Sequence, residues 1–343
     1  MRPHPPLTPR RQLALALVGL AVIALAAGLA LLIGMPSVDL GPALSDPASW
    51  QHQALVKLQL PRIAQGLAVG AVLGVAGATL QGLLRNPLAD PFILGVSGGA
   101  ALGSASLSLL LGAVVSASPL LFAPLGGFAG ALVALAVVMA LGSERGVPSP
   151  LRMLLVGVVV NALAGAMLMV LAALGDATTV QRTLVRLMGT LGADPAEPLL
   201  VPIVVLAAVV ALVAVIPQTL ALNLLALGDD TARSLGLEPE RLRRRLFVLL
   251  SLPVGAVVAV TGLIGFAGLV VPHAVRLVVG PDHRRVVPLS AAFGAAFIVL
   301  ADASVSALAG PLETELPVGV VTALVGGPVF LALLRVRRGR GAA

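Results

Sequence analysis

The stretch QGLLRNPLADPFILGVSGGAALG, residues 81–103, places an Asn-Pro and an Asp-Pro between two long apolar runs that are rich in glycine and alanine. A residue that precedes proline avoids the helical conformation, so these prolines end one helix and separate it from the next. Of the 343 residues, 58% are apolar and only 11% are charged, and the mean hydropathy is +1.06. A soluble domain carries about 25% charged residues. The stretch is therefore predicted to be a polar turn between two membrane helices.

Apolar runs long enough to cross a bilayer, which takes about 20 residues, recur along the whole chain. They are continuous rather than alternating, which favours an all-α polytopic membrane protein over a transmembrane barrel. The first run is longer than the apolar part of a signal peptide and is interpreted as the first helix. The ten predicted spans are 13–33, 63–83, 94–114, 120–141, 151–174, 199–216, 246–263, 266–279, 286–303 and 317–334.

The distribution of lysine and arginine predicts the orientation of these ten spans. With the N-terminus inside, all of the 22 basic residues except Lys57, Arg62, Arg182 and Arg186 fall in inner segments. Positive residues favour the cytoplasmic side of a membrane. The sequence thus predicts one transmembrane domain, 1–343, with cytoplasmic tails at 1–12 and 335–343 and a long cytoplasmic loop at 226–246.

Two similar segments indicate an internal repeat. VGAVLGVAG at 69–77 and VGAVVAVTG at 254–262 share six residues at matching offsets, in predicted helices 2 and 7. Two halves of five helices each must be inverted relative to one another, which is a common plan among transporters. A chance match between apolar segments is the alternative. Glycines at 66, 70 and 74 and at 95, 99 and 103 predict close helix packing.

The residues available limit what could drive transport. The chain has no cysteine, which excludes disulfides and thiol chemistry, and it has no GxxxxGK[ST] phosphate loop. ATP could therefore drive it only through a separate ATPase subunit. No acidic residue falls near the middle of a predicted span, which disfavours a proton relay, although a sodium-driven secondary transporter stays open. The four histidines are scattered, which disfavours a membrane enzyme and predicts neither catalytic residues nor a metal site.

The 226–246 loop, ALGDDTARSLGLEPERLRRRL, is the most polar part of the chain. Asp229 or Asp230 can cap a short helix that stops at Gly236, and Pro239 suits the first position of a second helix. Two short helices lying parallel to the membrane would form a lever that a partner can push. A solvated loop that only follows the positive-inside rule is the alternative.

Four motifs give a resemblance to a known family. The chain resembles the FecCD family, the permease subunits of ABC importers for ferric siderophores, haem and cobalamin, over most of its length from Arg62 to Arg335. The motifs are RNPLADPFILGVSGGAALG at 85–103, LGDDTARSLG at 227–236, GLVVPHAVRLVVGPDHRR at 268–285 and ELPVGVVTALVGGPVF at 315–330. The resemblance implies the type II ABC importer permease architecture, with ten helices per subunit. It also implies no cofactor in this chain itself.

The same resemblance implies partners and site residues. The partners are a second permease copy, two ATPase subunits that carry ATP and Mg²⁺, a soluble or lipid-anchored binding protein and membrane lipid, with no nucleic acid. The implied ATPase contact is Asp229, Asp230, Ala232, Arg233, Ser234 and Gly236, and the implied inner gate is Asn86, Leu88, Ser149 and Pro150. Docking of the binding protein is expected at Lys57, Gln59, Arg62, Arg182 and Arg186, and the translocation path at Asn161, Met167 and Met169.

Two departures from the family pattern concern docking. The Arg-Leu-Pro-Arg box of the family reads QLPR here, so Gln59 replaces the first arginine, and serines follow Ala301-Asp302 where an arginine often occurs. His273 matches a Pro-His motif of the family and is interpreted as a packing residue. The predicted function is import of an iron chelate, haem or a ferric siderophore, across a bacterial inner membrane. A cobalamin importer of the same family and an ion-driven secondary transporter are the alternatives.

Overall fold

The structure, a computed structural model, describes residues 8–34, 40–112, 119–144, 147–174, 188–192, 199–312 and 316–340. Helices α1 to α14 cover, in chain order, Pro9–Gly34, Leu40–Ser45, Trp50–Ala54, Leu60–Leu83, Val96–Gly112, Pro119–Gly142, Pro150–Leu174, Leu200–Val215, Thr219–Ala226, Asp229–Ser234, Pro239–Thr261, Ala267–Val279, His283–Leu312 and Val318–Arg340. A π-helix at Leu55–Gln59 leads into α4, and 3₁₀-helices occur at Pro91–Leu94 and Ile216–Gln218. Strands β1, Ser143–Glu144, and β2, Val147–Pro148, form an antiparallel pair.

Each of the ten predicted spans coincides, over most of its described residues, with a helix. Within the described ranges, seven helical stretches are long and apolar enough to cross a membrane, and three shorter apolar helices, on α5, α12 and α14, account for the other spans. The fold is therefore that of an all-α, multi-pass membrane protein. The helix ends differ most at α13, which extends beyond the predicted 286–303 at both ends.

Helix α4 lies at the centre of the described bundle and is buried over most of its length. Its glycines bring it into backbone contact with α13, because a Cβ atom at Gly70 would overlap the carbonyl group of Gly294 and one at Gly74 would overlap that of Ser290. The predicted small-residue stripe thus marks a real helix crossing. Without a hydrophobic force between helices in lipid, such close approach supplies much of the attraction.

The packing of the helices supports the predicted repeat. Helix α4 packs against α13, and α11, which carries the matching segment, packs against α6. In a five-helix repeat, predicted helix 2 (α4) corresponds to helix 7 (α11), and helix 9 (α13) corresponds to helix 4 (α6). The contact between α4 and α13 in one half is therefore equivalent to the contact between α11 and α6 in the other. The matching residues make matching contacts, since Gly74 meets the α13 backbone and its counterpart Ala259 meets Gly127 of α6.

The 226–246 region confirms part of its prediction and contradicts the rest. A short helix, α10, does end before Gly236, whose positive φ of +83° and N–H bond to the carbonyl of Arg233 close it in a Schellman motif with Leu237. Pro239 does begin a helix, but that helix is α11, which continues to Thr261. The predicted second short helix is wrong because nothing in RLRRRLFVLL interrupts a helix once Pro239 has started it.

Candidate functional site

Asp229, in the first turn of α10, accepts hydrogen bonds from two arginines of other segments. Arg243 of α11 binds it in a bidentate manner, with both of its Nη atoms 2.8 Å from the two carboxylate oxygens. Arg85, which follows α4, pairs with the same carboxylate. The predicted cap is not present, because the N-cap residue is Gly228 and no side chain caps α10. Asp229 therefore joins three segments instead of ending one helix.

Arg243 is the most enclosed member of this group. The residue is 2% exposed, and its Nε donates to the carbonyl oxygen of Leu83, the last residue of α4, at 3.3 Å. That carbonyl is one of the four at a helix end that lack an intrahelical partner. All three guanidinium nitrogens of Arg243 are thus used inside the chain. The end of the bundle at which α4 ends and α11 begins is called here the arginine-rich end.

A second ion pair links α10 to α11. Arg233, one turn after Asp229, pairs with Glu240 in the first turn of α11 and also with Asp230 at 3.0 Å. The two pairs between the helices, Asp229 with Arg243 and Arg233 with Glu240, form an antiparallel ladder of alternating sign. Helix α10 is therefore attached to α11 at both of its ends.

The residues predicted for the ATPase contact differ in their access to a partner. The side chain of Asp230 is fully exposed and that of Arg233 is about half exposed, at 49%. Ser234 and Gly236 are also exposed. Ala232 is completely buried, so its side chain packs inside the chain and offers no contact surface. The outer face of α10 is thus polar, and its inner face is occupied by Ala232 and Asp229.

The turn that joins α4 to the 3₁₀-helix, residues 85–90, is the predicted gate segment, and it is held by its own hydrogen bonds. Arg85 has a positive φ of +48°. The Asn86 side chain accepts from the N–H of Leu88 at 2.9 Å, and the Asp90 side chain accepts from that of Phe92 at 2.8 Å. Leu88 is 43% exposed and projects from the turn. The side chains of Asn86 and Asp90 therefore both accept hydrogen bonds from the backbone of this segment. The turn itself is the one that the two prolines predicted.

Asp90 is almost fully buried, at 5% exposed. Burial raises the pKa of its carboxyl group to about 6, against a smaller lowering by the Phe92 N–H. Its Oδ2 atom has no hydrogen-bond partner among the described residues. A neutral carboxylic acid is thus favoured at this position far more than in an exposed loop.

The second predicted gate segment lies beside the β1–β2 hairpin. The N–H of Ser149 donates to the carbonyl of Gly142 at 3.1 Å, and its own carbonyl accepts from Met153 at 2.9 Å, which starts α7. Pro150 is the first residue of α7. Residues 149 and 150 therefore connect the end of β2 to the start of α7. Their role as a gate stays a prediction.

Further polar residues at the arginine-rich end were not found by sequence reasoning. Asn223 of α9 donates to Asp282 at 2.7 Å and accepts from the N–H of His283 at 2.9 Å, which ties α9 to the start of α13. Burial raises the pKa of Asp282, but hydrogen bonds from Arg284 and Asn223 outweigh it and lower that pKa to about 2. Asp282 could have been inferred as a helix cap from GPDHRR, whereas nothing marks Asn223.

At the opposite end of the bundle, the predicted docking residues are partly used inside the chain. Arg62 forms a bidentate ion pair with Asp302 of α13, at 2.7 and 2.9 Å. Gln59 donates to the carbonyl of Ala30 in α1 at 3.2 Å, and Lys57 on the π-helix is exposed. Arg182 and Arg186 lie outside the described residues. Of the described docking candidates, only Lys57 therefore presents its side chain without an intramolecular bond to another segment.

The predicted path residues on α7 do not share one face. Asn161 accepts from the N–H of Gly98 at 3.1 Å and donates to the carbonyl of Phe92, so it fastens α7 to α5 and the 3₁₀-helix. Met167 and Met169 are 55% and 66% exposed, but two residues of a helix that are two positions apart point about 200° away from each other. Only one of the two methionines can face a given path.

His273 behaves as predicted for a packing residue. It is 3% exposed, and its ring meets that of Phe330 edge-on, with the ring centroids 6.2 Å apart. Among the described residues there is no cluster of three or more histidine, aspartate or glutamate side chains that could hold a metal ion.

These features define a multi-pass helical membrane protein. A polar helix outside its bundle, α10, is joined by an ion pair to the 85–90 turn that follows α4. The family model of the FecCD transport family matches residues 14–336 of the chain. The chain belongs to the FecCD transport family. The resemblance read from the four motifs is thereby confirmed.

Relatives and solved structures agree with this assignment. The chain is 42% identical over 286 residues to the cobalamin import system permease protein of Halobacterium salinarum, covering 82% of this chain and 73% of the relative. It is 37% identical over 331 residues to the hemin transport system permease protein of Yersinia pestis, covering 95% and 96%. A solved chain described as an inward-facing conformation of a metal-chelate type ABC transporter is 27% identical, with a TM-score of 0.78 and coverage of 94% and 99%.

Proposed function

We propose that this chain is the membrane-spanning permease subunit of an ATP-driven, binding-protein-dependent importer that carries an iron chelate, haem or a ferric siderophore, into the cytoplasm. Its role is transport, and ATP hydrolysis belongs to a separate subunit. The observation that carries the proposal is α10, a helix outside the bundle whose polar outer face is free for a partner while its inner face is bonded to the 85–90 turn.

The partners follow from the same reasoning. Two ATPase subunits would bind at the arginine-rich end through Asp230 and its exposed neighbours, and a binding protein would dock at the opposite end, near Lys57. Only 11% of the apolar stretch of α7 is buried within the chain. A second copy of the chain and lipid would cover this surface, which supports a homodimer. The arginine distribution supports a bacterial inner membrane location with both termini cytoplasmic.

A cobalamin importer is the second candidate. The cobalamin permease of Halobacterium salinarum is 42% identical to this chain, against 37% for the hemin permease of Yersinia pestis. A difference of this size does not decide between ligands, because large apolar paths place few demands on particular residues. Both ligands therefore belong in the same experiment.

The test is uptake into proteoliposomes that contain this chain and its candidate ATPase, with the candidate binding protein outside. Haem, ferric siderophores and cobalamin would each be offered with and without ATP trapped in the lumen. We expect accumulation of one ligand that requires luminal ATP and the binding protein and that survives an ionophore. Uptake that ignores ATP and collapses with an ionophore would instead establish a secondary transporter.

A further inference from the structure

Two arginines connect α10 with the 85–90 turn through a single carboxylate. Arg243 holds Asp229 with two nitrogens and the carbonyl end of α4 with the third, and Arg85 donates to Oδ1 of the same Asp229, the oxygen that also accepts from one Nη atom of Arg243. Arg85 immediately precedes Asn86, the first residue of the Asn-Pro-Leu sequence. The path from α10 to the turn is thus a chain of direct charge-assisted hydrogen bonds, which are roughly twice as strong as neutral ones.

We propose that Arg243 and Arg85 are positioning residues that transmit displacement of α10 to the 85–90 turn, by holding α10, the end of α4 and the start of α11 as one rigid unit. The proposal rests on the proposed function, since only an ATPase that pushes α10 gives this unit something to transmit. It goes further by naming the residues through which the push reaches the gate.

Burial and geometry distinguish this group from an ordinary surface ion pair. The side chain of Arg243 is 3% exposed and that of Asp229 is 27% exposed, whereas Arg241 and Glu238, a surface pair on the same segment, are 81% and 59% exposed. Exposed pairs contribute little and exchange readily with water. A bidentate pair that is enclosed on one side keeps its geometry when an attached helix moves.

The backbone of Arg85 supplies an independent observation. It adopts a φ of +48° directly after the C-cap residue of α4, a position that most often holds glycine in other helices. A residue with a side chain is strained in this region, so an arginine is costly there on backbone grounds alone. The ion pair with Asp229 provides the reason for an arginine at a glycine position.

The test compares Arg85→Gly, Arg243→Gln and Arg243→Lys with the matched control Arg241→Gln, which removes an exposed arginine from the same helix turn. Each variant would be reconstituted with the ATPase and the binding protein, and ligand imported per ATP hydrolysed would be measured. We expect Arg85→Gly and Arg243→Gln to lower this ratio about fivefold or more, the lower end of usual coupling between sites. ATP hydrolysis and co-elution with the ATPase should persist, Arg243→Lys should recover part of the ratio, and the control should match the wild type.

A distance measurement distinguishes loss of the rigid unit from misfolding of the variants. The chain contains no cysteine, so spin labels at Leu88→Cys and at Thr231→Cys, an exposed position of α10 that is not among the proposed ATPase-contact residues, would be the only ones, with labelled chain diluted into unlabelled chain. The rigid unit predicts one narrow distance distribution that is the same with and without trapped ATP, and a broadened one in Arg243→Gln. Arg85→Gly relieves backbone strain, so it should fold at least as well as the wild type and still uncouple.

The outcomes separate this inference from the proposed function. If the wild-type complex shows no ATP-dependent import, the proposed function fails. If the wild type imports but Arg85→Gly and Arg243→Gln import as much ligand per ATP as Arg241→Gln does, the inference is overturned and the proposed function stands. A wild-type distance that changes when ATP is trapped would also overturn it.

Discussion

Arg62 and Asp302 form a bidentate ion pair between the start of α4 and α13, with Nε to Oδ2 at 2.7 Å and Nη2 to Oδ1 at 2.9 Å. The side chain of Asp302 is 9% exposed and that of Arg62 is 22% exposed. Sequence comparison with the family had predicted Arg62 as a docking arginine. In the structure, its guanidinium group joins α4 to α13 through a residue 240 positions away in the chain.

Replacing Asp302 should therefore lower the stability of the fold, whatever its effect on docking of the binding protein. We expect Asp302→Ala to lower the free energy of unfolding by about 2 kcal/mol, between the values for exposed and for buried pairs, because it removes the bidentate carboxylate from a partly buried cation. Thermal unfolding in detergent measures this change. The double variant Arg62→Ala/Asp302→Ala should be more stable than Asp302→Ala alone. A double variant that is less stable by the sum of both single changes would show that the two residues do not interact.

The carboxylate of Asp229 neutralises two arginines, so its removal should cost more stability than removal of Arg85 alone. Asp229→Asn leaves Arg85 and Arg243 facing each other and should lower stability by about 3–5 kcal/mol, as when a buried pair is broken. Arg85→Gln leaves the bidentate pair intact, and because Arg85 is 40% exposed it should cost about 1 kcal/mol or less. Unfolding midpoints of the two variants, measured side by side, test this order. Equal losses would mean that the contact of Arg85 with the carboxylate contributes as much to stability as both arginine contacts of Asp229 together.

Helix α4 should tolerate no side chain at Gly74. A Cβ atom there would overlap the carbonyl of Ser290, and backbone cannot move aside as a flexible side chain can. We expect Gly74→Ala to lose well over 1 kcal/mol, the usual minimum for overpacking, and to express poorly. The matched control is Gly165→Ala in α7, where the described residues place no atom within 4 Å of the added carbon apart from the adjoining backbone of the helix itself. Similar melting temperatures for the two variants would contradict the close helix crossing.

The buried carboxyl group of Asp90 predicts a pH dependence. Its pKa is raised to about 6 in the fold from 3.8, so the folded protein binds the proton more tightly than the unfolded chain does. The stabilisation by this proton is fully present below pH 4 and is lost as the pH rises to 6, by about 3 kcal/mol for a shift of this size.

Asp90→Asn should remove this part of the pH dependence. The amide oxygen can still accept from the N–H of Phe92, and the variant carries no buried charge above pH 6. We expect it to be more stable than the wild type at pH 7 and nearly equal to it at pH 4, in thermal unfolding across that range. Parallel wild-type and variant curves between pH 4 and 6 would show that Asp90 titrates like an exposed carboxyl group.

The two methionines of α7 should differ in access to water if α7 lines a path. Because their side chains point to opposite sides of the helix, only one of Met167→Cys and Met169→Cys should react quickly with a membrane-impermeant maleimide in the reconstituted complex. The natural absence of cysteine makes the labelling site unambiguous. Equal labelling of both positions would mean that α7 is wetted all round and does not separate a path from lipid.

Features that depend on neighbouring residues were predictable from the sequence. The ten helices follow from apolar length, the 85–90 turn from its two prolines, and the end of α10 from Gly236. The second short helix predicted after Pro239 is wrong, because the change from polar to apolar residues in α11 does not interrupt the helix. Polarity marks where a helix leaves the membrane, and only a breaking residue marks where it ends.

The sequence by itself determined the solvent of this protein, the positions of its apolar helices and its family, because a bilayer imposes apolar length and internal backbone bonding on each segment separately. Only the tertiary structure decided which charges meet. Arg62 and Asp302, and Arg85 and Asp229, are 240 and 144 residues apart, and their pairing depends on how helices are rotated and packed against one another. A count of arginines predicts the side of the membrane on which they lie, whereas the fold decides whether an arginine faces a partner protein or holds its own chain together.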